Sequence, residues 1–446
     1  MKSKSFLSID IFLFVSVLFL MIVGIMFIYS SSISFTEVEQ AITWYRSEWF
    51  RQIVWVVLGI SLIFVFTFID HKIFQELAIL IYGLFIFFLI ITLLFGQVRN
   101  GARSWFGIWE FGVQPSEFAK LALVFFLSKY YADNQGRIKE FQTFAIGFFV
   151  ITLPPFFLVI LQPDLGSSMT FLAIFFAISF MAGIRGRYLL FLFIVGLVSL
   201  FFTVFPHYEL RILGGHSIVS DLILNRDSML IIAGSFLALI VLSFWGYSLT
   251  KNKTLYWTMF ISGILLLSTL GSLGGQLAQN RNILKPYQMD RLIIFLDPYV
   301  DEQGAGWNII QSLNAVGSGG FFGKGYLQGI QSHSNYVPEQ STDFIYSILA
   351  EEWGYLGALV IFGLFLIIVV RGFYIISFSK DQFSVFVAMG IIGMLVFHFV
   401  INIGMAIGIM PITGIPLYFL SYGGSSLLAA SIGIGVIMNI HTKRYG

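Results

Sequence analysis

The chain of 446 residues contains no cysteine. That absence excludes disulfides, zinc–thiolate sites, iron–sulfur clusters and cysteine nucleophiles together. Charge is scarce as well: Asp, Glu, Lys and Arg make up 11% of the chain, against roughly 25% in soluble domains. The net charge is only +2 and no basic or acidic block occurs, so nucleic acid is excluded as a partner. What fills the space is apolar. Hydrophobic residues reach 58%, with 51 Phe, and mean hydropathy is +0.88. Such a chain cannot hide its apolar surface in water, and it reads as an integral membrane protein lying mostly within the bilayer. The first apolar stretch, residues 11–29, is longer than the core of a typical secretory signal and reads as an uncleaved first span.

A helix needs about 20 apolar residues to cross roughly 30 Å of hydrocarbon. The hydropathy pattern predicts an all-α polytopic membrane protein with twelve spans, at 10–30, 50–69, 75–95, 116–131, 143–161, 167–184, 187–205, 228–249, 255–275, 342–370, 383–407 and 421–440. Orientation follows the bias of Lys and Arg toward cytoplasmic loops. With both termini inside, the short inner segments hold 14 of the 25 basic residues, among them Lys2, Lys4, Lys72, Arg185, Arg187, Lys251, Lys253, Arg371, Lys443 and Arg444. Two outer regions then exceed simple connectors, 96–117 and 276–341. Loops beyond about 15 residues are usually functional or disordered. The second, with Trp307, Phe321, Phe322 and Tyr326, is too aromatic for disorder and reads as a large structured extracytoplasmic loop.

The candidate chemistry gathers on the predicted outer side. Arg103, Ser104 and Trp105 lie in the first region, followed by Gln114, Pro115, Ser116, Glu117 and Lys120. Pro115 suits a helix start, and Glu117 and Lys120 are spaced to pair on one face. They read either as a capped helix with a surface ion pair or as a charged pair facing a polar cavity, because an apolar run follows Lys120 directly. Asp164, after Pro163, is either a helix cap or part of that polar face. In the long loop stand Asp297-Pro298, Asp301, Gly304-Ala305-Gly306, the segments Gly317-Ser318-Gly319-Gly320 and Gly323-Lys324-Gly325, and Pro338-Glu339 through Thr342-Asp343. A P-loop fails on spacing, with Ser318 where the first glycine is needed and Gly325 where Ser or Thr is needed. The six histidines, at 71, 207, 216, 333, 398 and 441, show no metal-ligand spacing.

Taken in order along the chain, these segments, with Asn100-Gly101 ahead of Arg103, residues 402–405, 408–416 and Ser421-Tyr422-Gly423-Gly424-Ser425, resemble the SEDS family (shape, elongation, division and sporulation), in its RodA-type branch. The family pattern has ten spans. The resemblance therefore implies one membrane domain over 1–446 with an inserted helix pair at 185–254. It further implies a peptidoglycan glycosyltransferase that polymerises lipid II during cell elongation, at the outer face of the bacterial cytoplasmic membrane. By the same resemblance Asp301 is the essential carboxylate. The flanking Glu302-Gln303 stand where a Pro-containing pair is commoner.

The implied reaction suits these residue types. A sugar hydroxyl must lose a proton as it attacks the anomeric carbon, work for a positioned carboxylate worth about 10²–10⁴-fold. The departing pyrophosphate needs Arg, Lys or a divalent cation, Mg²⁺ or Mn²⁺. Arg103, Trp105, Glu117, Lys120, Asp164, Glu339 and Asp343 are the substrate-binding candidates, and the metal ligands stay unassigned. The implied partners are lipid II, undecaprenyl-pyrophosphate-linked glycan, a class B penicillin-binding protein (a transpeptidase), other elongation-complex proteins and membrane lipids. The rival reading is a lipid II flippase, which should instead carry its charges along a path through the membrane.

Overall fold

The computed structural model describes residues 9–33, 47–99, 102–107, 112–215, 217–280, 286–304, 306–334 and 336–443. Lys2, Lys4, Asn100, Gly101, His216, Ala305 and Arg444 lie outside them. The elements in order are α1 (Ile11–Ser31), α2 (Glu48–Phe68), α3 (His71–Phe95), β1 (Gln97–Arg99), β2 (Ala102–Trp105), α4 (Pro115–Asp133), α5 (Phe141–Ala145), α6 (Leu153–Leu161), α7 (Leu165–Ala182), α8 (Gly186–Tyr208), α9 (Ile218–Leu224), α10 (Arg226–Thr250), α11 (Lys253–Asn280), α12 (Pro286–Leu296), α13 (Trp307–Ser318), α14 (Ile330–His333), α15 (Ile345–Phe378), α16 (Gln382–Ala406) and α17 (Gly424–Thr442). A π-helical stretch, Ile146–Thr152, joins α5 to α6 in one run.

Among the described residues eleven helices are long and apolar enough to cross a membrane, which makes this a multi-pass membrane protein. The remaining predicted span, at 116–131, is α4. It is 19 residues long, about 28 Å at the α-helical rise, but it carries Glu117, Lys120, Lys129 and Asp133. Two expectations change in detail. A short antiparallel hairpin, β1–β2, stands in the first predicted outer region of an otherwise helical chain. The stretch 276–341, expected as a structured loop, carries α-helix over about half its length: α11 runs on to Asn280, and α12, α13 and α14 follow.

The chain divides into two compact units. One comprises Met1–Ile184 with Trp307–Gly446, and the other comprises Arg185–Gly306. In the first, α4, α16 and α17 pack on one another, with α7 against α4 and α16, α2 against α17, and α1 against α15. Burial grades outward, from 83% of the most apolar window of α17 to 17% of that of α3. An apolar flank is no penalty when lipid covers it, so helix association rests on packing and polar links. Carboxylates supply several of those links at helix starts. Asp10 caps α1 at the Leu13 amide (3.0 Å) and takes the Arg371 fork at 2.8 and 3.1 Å from Nε. Asp70 caps α3 at the Lys72 amide and pairs with Lys443. The predicted inner residues Lys72, Arg371 and Lys443 therefore belong to one end of this unit, where α1 and α3 begin and α17 finishes.

At the opposite end of α15 the chain backbone comes very close. Gly323 (φ +80°) and Gly354 (φ +63°) lie in the left-handed region, and a Cβ on Gly323 would collide with the Glu352 carbonyl. Only glycine suits such a site. Glu351, fully buried, binds Lys324 at 2.8 Å, the amides of Ile330, Gln331 and Ser332 at 2.8, 2.9 and 3.1 Å, and the Ser332 hydroxyl at 3.0 Å. Glu352 accepts from the Ser30 hydroxyl and the Leu327 amide and lies 3.3 Å from His333 Nε2. The glycine-lysine segment that mimicked a P-loop is a strap folded onto the kink in α15.

The second unit is built on α8, α10 and α11, with α11 packed against both others. Gly271 and Gly275 let α8 approach closely. A Cβ at Gly271 would lie 2.6 Å from the Ser199 hydroxyl, and one at Gly275 would lie 3.4 Å from Thr203. This small-residue spacing is what brings helices together in lipid.

Candidate functional site

Lys120 and Glu117 share a face of α4 and are 0% and 1% exposed. Lys120 Nζ donates to Glu117 Oε1 at 2.7 Å and to the Tyr418 hydroxyl at 3.1 Å, and lies 3.1 Å from His398 Nε2. Tyr418 in turn donates to Glu117 Oε2 at 3.0 Å. His398 Nδ1 is 3.0 Å from the Pro416 carbonyl, which fixes the tautomer: the proton sits on Nδ1 and Nε2 accepts from the lysine. Thr170 of α7 adds its hydroxyl 3.3 Å from that same Nε2. The imidazole and phenol stack with centroids 4.0 Å apart. All three protons of the ammonium thus have acceptors. A buried charge pair persists only when its remaining hydrogen-bonding capacity is met, and here α4, α7, α16 and the turn before α17 meet it jointly.

The starts of α4 and α7 are tied together above this pair. Gln114 Nε2 donates to Asp164 Oδ2 at 2.8 Å, and the Gln114 amide donates to Ser425 at 2.9 Å. Asp164 Oδ1 caps α7 through the Ser167 amide at 3.0 Å. Burial raises the Asp164 carboxyl above the ordinary aspartate range, opposed by the Ser167 amide and hydroxyl and by Lys120. Asp164 is therefore both the cap of α7 and the link from α7 to the start of α4. The hairpin joins through Gln162, whose carbonyl accepts from the Arg103 amide at 3.0 Å and whose side chain donates to the Leu89 carbonyl at 2.9 Å. Arg103 itself is exposed on β2 and Trp105 is half-buried.

Glu339 is exposed, with φ +48°. Its carbonyl accepts from the amides of Thr342, Asp343 and Phe344, forming the turn that launches α15. The Asp343 carbonyl accepts from Asn402 of α16 at 2.9 Å. Both thus contribute main-chain acceptors to this network, and Glu339 Oε2 also accepts from the Thr342 hydroxyl at 3.3 Å.

Asp301 belongs to the second unit. It closes a 3₁₀ turn, Pro298–Asp301, that Asp297 caps through the Tyr299 amide at 3.0 Å. The Asp301 side chain is exposed, and its carbonyl accepts from the Gly306 amide at 3.0 Å. A Cβ on Gly304 would collide with the Asp301 carboxylate, so the glycine keeps the space that this carboxylate occupies.

The structure gathers Glu117, Lys120 and Asp164 in one centre and ties Arg103 and Trp105 to its edge. His398, Tyr418 and Thr170 went unforeseen. One signal was present: a lysine set before an apolar run demands buried acceptors, and His398 stands amid the apolar run of α16. Among the described residues no group of three or more His, Asp or Glu is placed to hold a metal ion.

A sequence profile of the cell cycle protein family of FtsW, RodA and SpoVE matches residues 10–221 and 217–446. The chain is 42% identical to peptidoglycan glycosyltransferase RodA of Treponema pallidum over 446 residues, the whole of both chains. It is 30% identical to stage V sporulation protein E of Bacillus subtilis, over 97% of this chain and 96% of that one. A solved chain from work on the structural coordination of polymerization and crosslinking by a peptidoglycan synthase complex superposes with a TM-score of 0.67 at 27% identity, covering 98% of each chain. RodA of Thermus thermophilus shares the fold, with a TM-score of 0.59 at 24% identity over 99% of each chain.

Proposed function

The chain belongs to the FtsW, RodA and SpoVE family of cell cycle proteins, and from that premise we propose that it is a peptidoglycan glycosyltransferase polymerising lipid II during cell elongation. The observation that carries this reading is the end-to-end identity of 42% with the treponemal glycosyltransferase RodA.

In the proposed reaction Asp301 accepts the proton of the acceptor sugar hydroxyl. That oxygen forms a bond to the anomeric carbon, and the carbon–oxygen bond to the pyrophosphate breaks, with inversion. The exposure of Asp301 and the space kept by Gly304 support this role, since a general base must reach within hydrogen-bonding distance of its proton. Arg103, exposed on a tethered hairpin, is the cation we assign to the pyrophosphate. Trp105 is assigned to a sugar face, and Glu339 and Asp343 to the donor or acceptor strand. Lys120, with its three protons engaged, acts on substrate by holding Glu117 and the region around Asp164 in place. A divalent cation, Mg²⁺ or Mn²⁺, would add positive charge at the departing pyrophosphate.

By the proposed topology both termini are cytoplasmic and Asp301 faces outward, where lipid II presents its head group. A class B penicillin-binding protein is the proposed partner, within the larger elongation complex.

The test is the purified protein in detergent, with and without its transpeptidase, given lipid II in Mg²⁺, Mn²⁺ or chelator. Glycan ladders that disappear in Asp301→Ala support the reading. Absence of ladders under every condition, together with passage of lipid II across liposomes carrying the protein, would replace the polymerase with a flippase.

A further inference from the structure

The second unit has a cationic, aromatic end that the polymerase chemistry does not use. α8 and α11 both begin there and α10 finishes there. Phe191 of α8 meets Phe260 of α11 with ring centroids 5.3 Å apart, and Tyr247 of α10 meets Tyr256 of α11 at 6.0 Å. Four cations cluster on these termini, Arg185 and Arg187 on one side, Lys251 and Lys253 on the other. No Asp or Glu occurs in residues 184–191 or 245–260, so the neighbouring sequence brings the cluster no carboxylate. Its contacts are with rings and phenols instead. Arg187 donates to the Tyr188 hydroxyl at 3.3 Å, stacks over that ring at 5.1 Å and lies against Tyr256. Lys251 lies over Tyr247 at 5.4 Å. Between α10 and α11 opens a cavity of about 420 Å³ lined by Tyr247, Lys253, Tyr256 and Trp257.

We propose that this end of α8, α10 and α11 binds the phosphate of an anionic phospholipid headgroup. Lysine and arginine supply the charge, and the phenols supply neutral donors for the ester oxygens. The cavity falls within the roughly 300–1,000 Å³ usual for small-molecule sites. Basic pockets between spanning helices are where acidic headgroups lodge. A lipid is favoured over free phosphate by what lies alongside. Only 11% of the most apolar window of α8 and 17% of that of α10 are buried within the chain, leaving long bare flanks for acyl chains. Trp245 and Trp257, 65% and 57% exposed, mark the level of the membrane interface, where such rings concentrate.

Native mass spectrometry of the full-length protein, stripped of lipid and titrated with phosphatidylglycerol or phosphatidylcholine, tests this. The expected result is one tightly held phosphatidylglycerol, preferred at least tenfold over phosphatidylcholine, with the preference unaffected by millimolar inorganic phosphate. The quadruple variant Arg185→Gln, Arg187→Gln, Lys251→Gln, Lys253→Gln should bind the two lipids alike. Lys253→Gln alone, at the cavity wall, should lose part of the preference while keeping the wild-type melting temperature. Equal binding of both lipids by wild type, or an unchanged preference in the variants, overturns the proposal. Displacement of the lipid by inorganic phosphate assigns the site to a free anion and overturns it too.

Discussion

Replacing Lys120 by methionine, which keeps the volume and removes the charge, isolates what the buried pair does. Glu117 would remain 1% exposed, with the Tyr418 hydroxyl still donating to its Oε2. At 2.7 Å, with an effective dielectric constant near 20, the lost attraction is about 6 kcal/mol. Part of that merely offset the desolvation of both ions, so the single variant should lose about 3–5 kcal/mol, the usual cost of stranding one buried charge. The double variant Lys120→Met, Glu117→Gln strands none and should recover most of the loss, because neutral replacements of buried pairs are often tolerated. Unfolding free energies from SDS titration in mixed micelles give the double-mutant cycle. A loss below about 1 kcal/mol in Lys120→Met, or a double variant no more stable than the single one, would refute the account of a self-satisfied buried pair. Polymerisation adds a second readout. If the double variant regains stability yet makes no glycan, the charges serve the substrate or its surroundings as well as the fold.

Gly304→Ala should push the Asp301 carboxylate from its place and lower polymerisation by about 100-fold, the scale of a misplacement near 1 Å. Melting should barely change at this exposed turn, and normal activity in the variant would detach Gly304 from Asp301. Gly323→Ala combines a left-handed backbone with a collision at the Glu352 carbonyl; it should cost at least about 1–3 kcal/mol, read in the same SDS titration. Asp70 is held down at a pKa of about 2, chiefly by Lys443 and then by the Lys72 amide. Its stabilisation is therefore present above the unfolded-state pKa near 4 and fades as pH falls toward 2. Asp70→Asn should flatten that limb of the stability profile, and an unchanged limb would count against the pairing.

The spans were legible because twenty apolar residues in a row have few alternatives to crossing a membrane. The weakest prediction, 116–131, is the helix whose charges find partners inside the protein, a fact that local hydropathy cannot express. The span predicted to end at 370 shows the same effect at its edge. α15 runs on to Phe378, carrying Arg371 inside the helix, where it finds Asp10 at the start of α1. The hairpin at 97–105 escaped notice because two short polar strands leave no periodic signature. The centre around Lys120 was half legible. Glu117 and Lys120 sit three residues apart in sequence, whereas His398 and Tyr418 lie 278 and 298 residues beyond Lys120 and only folding brings them there. The rejection of a P-loop from spacing agrees with the strap geometry, but the reason for those glycines became visible only where the strap meets α15.

The partners of α1 bear on how the protein is assembled as it is made. Its first turn is fastened by Arg371 and its last by Glu352, residues translated more than 300 positions later. Half of its most apolar window is destined for burial, and the whole of 185–306 is synthesised before α15 emerges. A nascent chain must therefore hold α1 in the membrane with Asp10 still lacking its guanidinium. Such a helix is a natural client for an insertion chaperone, and translation slowed before α15 would lengthen that exposed interval.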